Sequence, residues 1–259
     1  MPGKIPLSVA IVTKNEAYNI GDALESVEDF DDIIVVDAFS GDRTVEICKK
    51  YTDRVYQHQW PGFSLQKQRA VDYAKNDWVM ILDADERVTP ELKAEMMKEI
   101  DGGAYSGLYV PRKNFFLGKW ICHSGWWPDH TLRIFRKDSA HVEPREVHEK
   151  VLVIGATKHL KHPMLHYTYR TLSDYMKKME TYSTLAAQEI VRQKGRPSPA
   201  SLIINPVAVF VKMFLLRQGF RDGIHGFVLA ALYAFQVFLK YAKALEKGSG
   251  IASDQDKTS

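Results

Sequence analysis

Two aspartates one residue apart, Asp83 and Asp85, stand directly after the apolar run Val79-Met-Ile-Leu82. A buried strand that ends in this pair places two carboxylates at the edge of a sheet. Oxygen ligands of this kind suit Mg²⁺ or Mn²⁺, hard cations that in turn hold a diphosphate. Aspartate also ends many strands as a turn-forming residue, so the pair gains meaning only from the elements that position it.

The part of the chain before this pair alternates short apolar runs with stretches of helical periodicity. The pattern predicts strands over residues 7–13, 32–37, 54–56 and 78–82, with helices over 15–27, 44–51 and 64–75 between them. Strands and helices in this order indicate right-handed crossovers and a mainly parallel sheet. Ligands of such sheets bind beyond the carboxyl ends of the strands, and that edge collects Thr13, Glu16, Asp37, Asp83 and Asp85.

A nucleotide is the ligand that this edge fits best, although two common nucleotide motifs are missing. No Gly-x-Gly-x-x-Gly follows the first strand, and no Gly-x-x-x-x-Gly-Lys-Ser/Thr occurs, which removes the main support for dinucleotide and P-loop sites. Asp37 and the region of Thr13 could bind a base, and Asp83 a ribose. Lys67 and Arg69, on the third predicted helix, either add positive charge near phosphates or lie on a solvated helix face.

The composition of the chain limits which class of protein it can be. The chain has 259 residues, 45% hydrophobic and 26% charged, which is typical of a globular protein, and its net charge of +3 gives no reason to expect a nucleic-acid partner. The N-terminus lacks the apolar core of a signal peptide. Cys48 and Cys122 form neither a disulfide framework nor a metal-ligand spacing, so both are expected to be reduced thiols.

The C-terminal part changes character after Gly195-Arg-Pro-Ser-Pro199. We expect a catalytic domain over residues 1–195, an apolar and basic helical hairpin over 196–247, and a disordered tail over 248–259. Two apolar helical stretches are predicted here, over residues 202–216 and 224–241, and Lys212 and Gln236 interrupt them. Between Arg192 and Lys247 there are nine lysines and arginines but only two acids. This pattern favours a hairpin that lies on a membrane surface. The alternatives are a helical pair packed on the catalytic domain or on a dimer mate, and a pair that crosses the membrane.

Three segments carry a resemblance to a known family. Residues 7–16 (Leu-Ser-Val-Ala-Ile-Val-Thr-Lys-Asn-Glu), 34–44 and 82–86 resemble successive signatures of family-2 glycosyltransferases. The chain is further similar to bacterial lipopolysaccharide core β-glucosyltransferases over roughly residues 5–190, a span that includes 132–136 and 147–149. The resemblance implies an α/β GT-A (nucleotide-diphospho-sugar transferase) fold with a Rossmann-like mixed sheet and a C-terminal helical, membrane-associated extension.

The resemblance also assigns roles. It implies that Thr13, Glu16 and Asp37 surround the nucleoside, with Asp83 near the ribose and Asp85 on a metal ion, Mg²⁺ or Mn²⁺. A late histidine of related enzymes completes the metal site, and His166 is the first choice for it, before His162. Arg136 or Arg133 is expected to meet a phosphate, and because they stand three apart on a predicted strand, only one of them can face the site.

Two carboxylates are candidates for the base that takes a proton from an attacking hydroxyl. The resemblance places Glu149 close to the base of related enzymes, so it is preferred over Asp129, with Glu143 and Glu146 as further options. Either acid could instead form an ordinary surface salt bridge. Trp126 and Trp127 are candidates for a platform on which a sugar stacks. Adjacent residues of an extended chain face opposite ways, so only one of them serves and the other is core or lid.

We therefore expect a metal-dependent, inverting hexosyltransferase that takes glucose from UDP-glucose. Its acceptor would be the lipopolysaccharide inner core or another lipid-linked saccharide, at the inner face of the cytoplasmic membrane. One alternative is transfer to a polyprenyl phosphate. Another is a sugar-nucleotide-binding protein without catalysis.

Overall fold

The computed structural model describes residues 4–143 and 151–248 of the chain. By its internal contacts the chain divides into two compact units. The first unit comprises residues 1–113 and 129–166, and the second comprises residues 114–128 and 167–259. The domain boundaries expected at residues 195 and 247 stay predictions.

The structure contains strands and helices in the alternating order that the sequence predicts for its first part. The strands are β1 (Ile5–Thr13), β2 (Phe30–Asp37), β3 (Val55–Gln57), β4 (Trp78–Asp83), β5 (Glu86–Arg87), β6 (Gly107–Phe116), β7 (Lys119–Trp120), β8 (His130–Arg136), β9 (Ala140–Val142), β10 (Val151–Val153), β11 (Thr157–His159) and β12 (Met164–Tyr169). The α-helices are α1 (Ile20–Glu25), α2 (Thr44–Cys48), α3 (Phe63–Asp72), α4 (Pro90–Asp101), α5 (Leu172–Lys194), α6 (Ser201–Phe210) and α7 (Ile224–Gly248). Short 3₁₀ turns occupy Lys137–Ser139 and Gly219–Asp222, and a π-helical segment occupies Val211–Leu216.

The sheet is parallel in its first half and mixed in its second. Its strand order is β3-β2-β1-β4-β8-β6-β12-β5. Strands β3, β2, β1 and β4 run parallel, whereas β8 is antiparallel to both β4 and β6, and β12 is antiparallel to β5. The predicted α/β mixed sheet is confirmed. The mixed half is formed by residues that follow the alternating segment of the sequence.

Strand β1 lies at the centre of the first unit and buries both of its faces, as parallel strands covered by helices do. Leu7, Val9 and Ile11 pack into one core with residues of α1, α2 and α4. Ala10 and Val12 pack into a second core with residues of α3. This two-sided burial explains why the strand reads as an unbroken apolar run.

The first helix is shorter than the predicted range of residues 15–27. It begins at Ile20, because the preceding loop satisfies its backbone elsewhere. Asn15 has a φ of 56°. The N–H groups of Glu16 and Ala17 donate to side-chain oxygens of Thr44 (2.8 Å) and Asp42 (3.1 Å) instead of entering a helix.

The second unit is mainly helical around its own core. Helix α5 is capped at its N-terminus by Thr171, whose hydroxyl accepts the Asp174 N–H at 3.1 Å. The predicted apolar stretch 202–216 is α6 followed by the π-helical segment. The turn after it brings two backbones together, since a Cβ on Gly226 would lie 1.9 Å from the Gly219 carbonyl oxygen. Helix α7 extends past the predicted end at residue 241, and its stretch Ile224–Lys247 is long and apolar enough to cross a membrane.

One buried carboxylate holds the amino end of β2. Asp32 is 2% exposed, and it accepts hydrogen bonds from the Ser8 hydroxyl (2.6 Å) and the Lys75 N–H (2.9 Å) while pairing with Arg54. Burial raises the pKa of this carboxyl, but the hydrogen bonds and the guanidinium lower it further, so the pKa lies below its ordinary value.

We predict that Asp32→Asn lowers the free energy of unfolding by about 3 kcal/mol at neutral pH, because Arg54 loses its buried partner. A carboxylate with a lowered pKa stabilises the fold above its unfolded pKa, and this contribution disappears as the pH falls through the folded value. Urea unfolding should therefore show the gap between the two proteins narrowing below about pH 4. The exposed Asp53→Asn is the control. A gap that keeps its size at low pH would contradict the prediction.

Candidate active site

The polar residues at the ends of three parallel strands meet at one edge of the sheet, as the sequence predicts. Thr13 of β1 lies opposite Asp37 of β2, and Val12 lies opposite Asp83 of β4. Thr13 and Asp37 are buried, and the side chain of Asp83 is 30% exposed. The structure therefore supplies the expected carboxyl-end site, while the role of each residue in it stays a prediction.

The two loops that follow β1 and β2 are bonded to each other. The Asn15 N–H donates to the Ser40 hydroxyl (2.8 Å), and the Gly41 N–H donates to the Asn15 side-chain oxygen (2.8 Å). Ser40 in turn donates its backbone N–H to Asp37 (2.9 Å), which also accepts from the Gln57 amide (3.1 Å). Asn15 and Ser40 were missed as site residues. Their signal was the polar turn composition directly after each strand.

Six side chains of alternating charge form a continuous series of ion pairs that includes Asp83 at the end of β4. In order, it consists of Lys67, Asp83, Arg133, Glu86, Arg112 and Asp129, and we call it the charge chain. Lys67 Nζ lies 3.0 Å from Asp83 Oδ1, and one Arg133 nitrogen lies 2.5 Å from both Asp83 Oδ2 and Glu86 Oε1. Arg112 lies 3.5 Å from Glu86 and 2.7 Å from Asp129. Buried charges are stable only when they are paired, and here each one is.

This arrangement fixes the state of Asp83. Burial raises the pKa of its carboxyl, but the charges of Arg133 and Lys67 lower it far below the ordinary value, so the group is ionised. Burial lowers the pKa of Arg133, and the charges of Asp83 and Glu86 raise it further than that. Lys67 is 6% exposed, so the solvated-face alternative does not apply to it. Asp83 is thus held in place by two cations.

Asp85 lies in the tight turn between β4 and β5, and Arg87 fixes that turn. One Arg87 nitrogen donates to the carbonyl oxygens of Ala84 (2.9 Å) and Glu86 (2.8 Å), and the other donates to that of Asn19 (2.8 Å). The pairing of β5 with β12 places Glu86 opposite His166. His166 Nε2 consequently lies 3.6 Å from Asp85 Oδ1.

Asp85 and His166 fit a divalent metal ion. Two adjacent ligand atoms of one octahedral ion, each about 2.1 Å from it, are about 3.0 Å apart, so a small side-chain movement from the observed 3.6 Å would let both atoms contact one ion. Within residues 4–143 and 151–248, no three His, Cys, Asp or Glu side chains group around a possible metal position. Two protein ligands suffice where water and substrate phosphates complete the coordination.

His162, the second choice for the metal, is hydrogen-bonded to a carboxylate. Its Nδ1 is 2.9 Å from a carboxylate oxygen of Glu95, and its backbone N–H donates to the same atom at 2.8 Å. One ring nitrogen of His162 thus has a carboxylate partner on α4, and its reserve role as a metal ligand stays a prediction.

The structure separates the predicted phosphate-binding arginines. Arg136 lies opposite Trp78, the first residue of β4, whereas Asp83 is the last, and five residues of strand place them about 17 Å apart. Arg136 pairs there with Asp138 at 2.6 Å. The nucleotide-binding prediction for Arg136 is therefore corrected, and Arg133 is the arginine of this strand that reaches the site. Arg69 donates to the Gln59 carbonyl oxygen and the Gln66 side chain, both at 3.2 Å, and its phosphate role stays a prediction.

The structure describes some of the candidate bases and not others. Glu149 and Glu146 lie outside the described residues. Asp129 accepts two N–H groups of Arg112, at 2.7 and 3.0 Å, so the salt bridge considered as its alternative role does form. Its role as a base stays a prediction, as does that of Glu149.

The two tryptophans have different surroundings within the second unit. Trp126 packs against that unit's core, with its ring centroid 6.2 Å from Phe116 and 6.4 Å from Tyr169. Trp127 packs edge-on against Trp120 at 5.4 Å. Trp126 therefore takes the core position, and Trp127 remains the candidate for a sugar platform.

Glu86 and Arg112 were missed as site residues. Glu86 directly follows the aspartate pair and could have been noticed as a third charged residue of that turn. Arg112 gave no local signal, since only the pairing of distant strands brings it to Glu86.

We predict that Glu86→Gln lowers the free energy of unfolding by about 3 kcal/mol, because Arg133 and Arg112 both lose a buried counter-charge while the side-chain volume is kept. Chemical denaturation monitored by tryptophan fluorescence measures this. Glu28→Gln, at an exposed position of the same unit, should change stability by less than about 0.5 kcal/mol. Equal small effects for both variants would mean that the charge chain does not stabilise the fold.

Comparison with known proteins agrees with this architecture. The family model described as glycosyl transferase family 2 matches residues 8–157, more than half of the chain. A lipopolysaccharide core biosynthesis glycosyltransferase, LpsC of Rhizobium meliloti (strain 1021), is 28% identical over 94% of this chain and 93% of its own length. An uncharacterized glycosyltransferase of Rickettsia typhi is 29% identical over 96% of this chain and 91% of its own.

Among solved structures, S. aureus TarS 1–349 in complex with UDP-GlcNAc covers 98% of this chain and 92% of that one, with 16% identity and a TM-score of 0.49. The family match rests on a segment that begins within β1 and extends past β10, where the parallel strands, the aspartate pair and the charge chain lie. The chain therefore belongs to glycosyl transferase family 2, and it is an enzyme with that family's GT-A fold.

Proposed function

We propose that this glycosyltransferase moves glucose from UDP-glucose, with inversion, onto a saccharide held at the membrane, such as the inner core of lipopolysaccharide. The observation that carries the proposal is the Asp85–His166 pair beside an Asp83 that two cations hold in place. The acceptor class is supported by the similarity to a lipopolysaccharide core biosynthesis glycosyltransferase over nearly the full length of both chains.

The donor would lie along the carboxyl edge of the parallel strands. Thr13, Glu16 and Asp37 would surround the nucleoside, on loops that are bonded to each other. Asp83 would accept a ribose hydroxyl, since a carboxylate oxygen can accept more than one hydrogen bond. Lys67 places a positive charge beside it, as the departing diphosphate requires.

Asp85 and His166 would hold Mg²⁺ or Mn²⁺. When bound, such an ion neutralises the negative charge that develops on the departing diphosphate. The imidazole nitrogen of His166 suits Mn²⁺ better than Mg²⁺. Arg87 contributes by fixing the turn that orients Asp85.

An acceptor hydroxyl must lose a proton as it attacks the anomeric carbon from the face opposite the diphosphate. Glu149 or Asp129 would take that proton, and a single displacement needs one such base and no covalent intermediate. Transfer to a polyprenyl phosphate is the second candidate function. It needs no base, because a phosphate nucleophile is already ionised.

The site of action would be the inner face of the cytoplasmic membrane, where a nucleotide sugar and a lipid-linked acceptor meet. The apolar helices of the second unit support this location. α7 is long and apolar, and several of its large side chains are exposed.

We predict that Asp85→Asn and His166→Ala each weaken metal-dependent binding of UDP-glucose by at least about tenfold, because each removes one of two protein ligands. Calorimetric titration with Mn²⁺ or with EDTA measures this binding without requiring turnover. The exposed Asp101→Asn should bind the donor as the unchanged protein does. The metal assignment fails if EDTA leaves donor affinity of the unchanged protein intact.

We predict that transfer to a hydroxyl acceptor loses about 10²–10⁴-fold in kcat when the base is removed, by Glu149→Gln or by Asp129→Asn. Membranes from cells that lack the protein, incubated with labelled nucleotide sugars, supply acceptors and identify the donor. Donor binding of both variants, measured separately, should stay unchanged. Full transfer activity in both variants would favour the phosphate acceptor.

A further inference from the structure

The second unit carries an exposed apolar surface. Of the large apolar side chains in the part of the chain that the structure describes, eleven are more than half exposed, and seven of these lie between Ile203 and Ile224. We call these seven side chains the hairpin face: Ile203, Ile204, Val207, Leu215, Leu216, Phe220 and Ile224. Ile203 is 70% exposed, Leu216 74% and Ile224 68%. Concentrated exposure of this kind marks an interaction site, whereas single exposed apolar residues are ordinary.

The hairpin face is not an unpacked side of the core. The same segments already bury their other side chains in the core of the second unit, including Met213 of the π-helical segment and Leu229 and Ala230 of α7. The helices thus have two apolar faces, one packed within the unit and one exposed. A protein that needed only a core would have polar residues on the second face.

Charge around this face has one sign. Asp222 is the only acid between residues 190 and 245. It is 3% exposed, and its carboxylate accepts the N–H groups of Cys122 (3.2 Å) and His123 (2.9 Å). Lys212 and Arg221, in contrast, are exposed. In an anionic lipid leaflet, the phosphates would attract these cations and the acyl chains would accommodate the exposed apolar side chains.

Contacts of α7 argue against a membrane-spanning arrangement, although its length allows one. Its Gln236 accepts a hydrogen bond from Tyr175 of α5 at 3.2 Å, and Lys243 pairs with Glu180 of α5 at 2.8 Å. Helix α5 also carries charged side chains such as Glu189. A crossing α7 would either lose these contacts or carry a charged helix into the bilayer, and both are costly.

We propose that the hairpin face binds the headgroup–acyl boundary of a bilayer leaflet that contains anionic lipid, with α6 and the π-helical segment parallel to the membrane plane. Exposed apolar side chains enter the boundary, and Lys212 and Arg221 contact lipid phosphates. This deepens the proposed function and rests on it in one respect, because a membrane-held acceptor gives the binding its purpose. The surface itself belongs to the second unit alone.

The first test is co-sedimentation of the full chain with vesicles of phosphatidylcholine, alone or mixed with phosphatidylglycerol. Binding is expected only with phosphatidylglycerol and should weaken between about 0.1 M and about 1 M salt. Lys212→Glu with Arg221→Glu should weaken it roughly thirtyfold or more. The control, Lys49→Glu with Lys50→Glu, makes the same change in net charge at exposed positions of the first unit and should bind normally.

The second test concerns the apolar side chains. Ile204→Ser with Leu216→Ser should abolish vesicle binding, whereas Ile154→Ser, at a position 77% exposed in the first unit, should not. Circular dichroism and thermal unfolding should show all variants folded, since only exposed side chains change. Equal binding by both variants would overturn the proposal.

Two other occupants of the hairpin face have their own signatures. Retention of the protein in cell membranes after an alkaline carbonate wash would overturn the proposal in favour of a spanning helix. A dimer in sedimentation that Ile204→Ser with Leu216→Ser dissociates, without vesicle binding, would overturn it in favour of a second copy of the chain. Donor binding measured in parallel separates these results from a failure of the proposed function, because it requires no membrane.

Discussion

The placement of one carboxylate between two buried cations is the constraint on which the candidate site depends. Asp83 ends the central strand pair of the sheet, and Lys67 and Arg133 reach it from a helix and from an antiparallel strand. None of these three charges could be buried alone. Together they fix the end of β4, and with it the start of the turn that carries Asp85.

The two aspartates, similar in sequence, have different surroundings. Asp83 is part of a structural network of paired charges, while Asp85 lies on the turn and near His166. The metal role proposed for Asp85 and His166 requires neighbouring groups that orient both side chains. Here Arg87 holds the turn through backbone carbonyl oxygens, and the β5–β12 pairing brings the histidine to it.

The second unit, in contrast, is characterised by its apolar surfaces. Its helices bury one apolar side within their own core and leave another exposed, and the exposed side chains lie in a segment that also exposes Lys212 and Arg221. The sequence pattern predicts helices of this length and their basic surroundings. It does not show which side of each helix packs, because several apolar positions around a helix look equivalent until a neighbour covers some of them.

The sequence by itself determined the alternating order of β1 to β4, the edge that collects Thr13, Asp37 and Asp83, and the family. These follow from local periodicity and from the rule that parallel strands end at a common edge. The tertiary structure decided that Arg133 rather than Arg136 reaches the site and that Glu86 and Arg112 belong to it. It also decided where loops replace helix before α1. Those outcomes depend on strand register and on pairing between distant segments. Neither of these produces a periodic pattern in the amino-acid sequence.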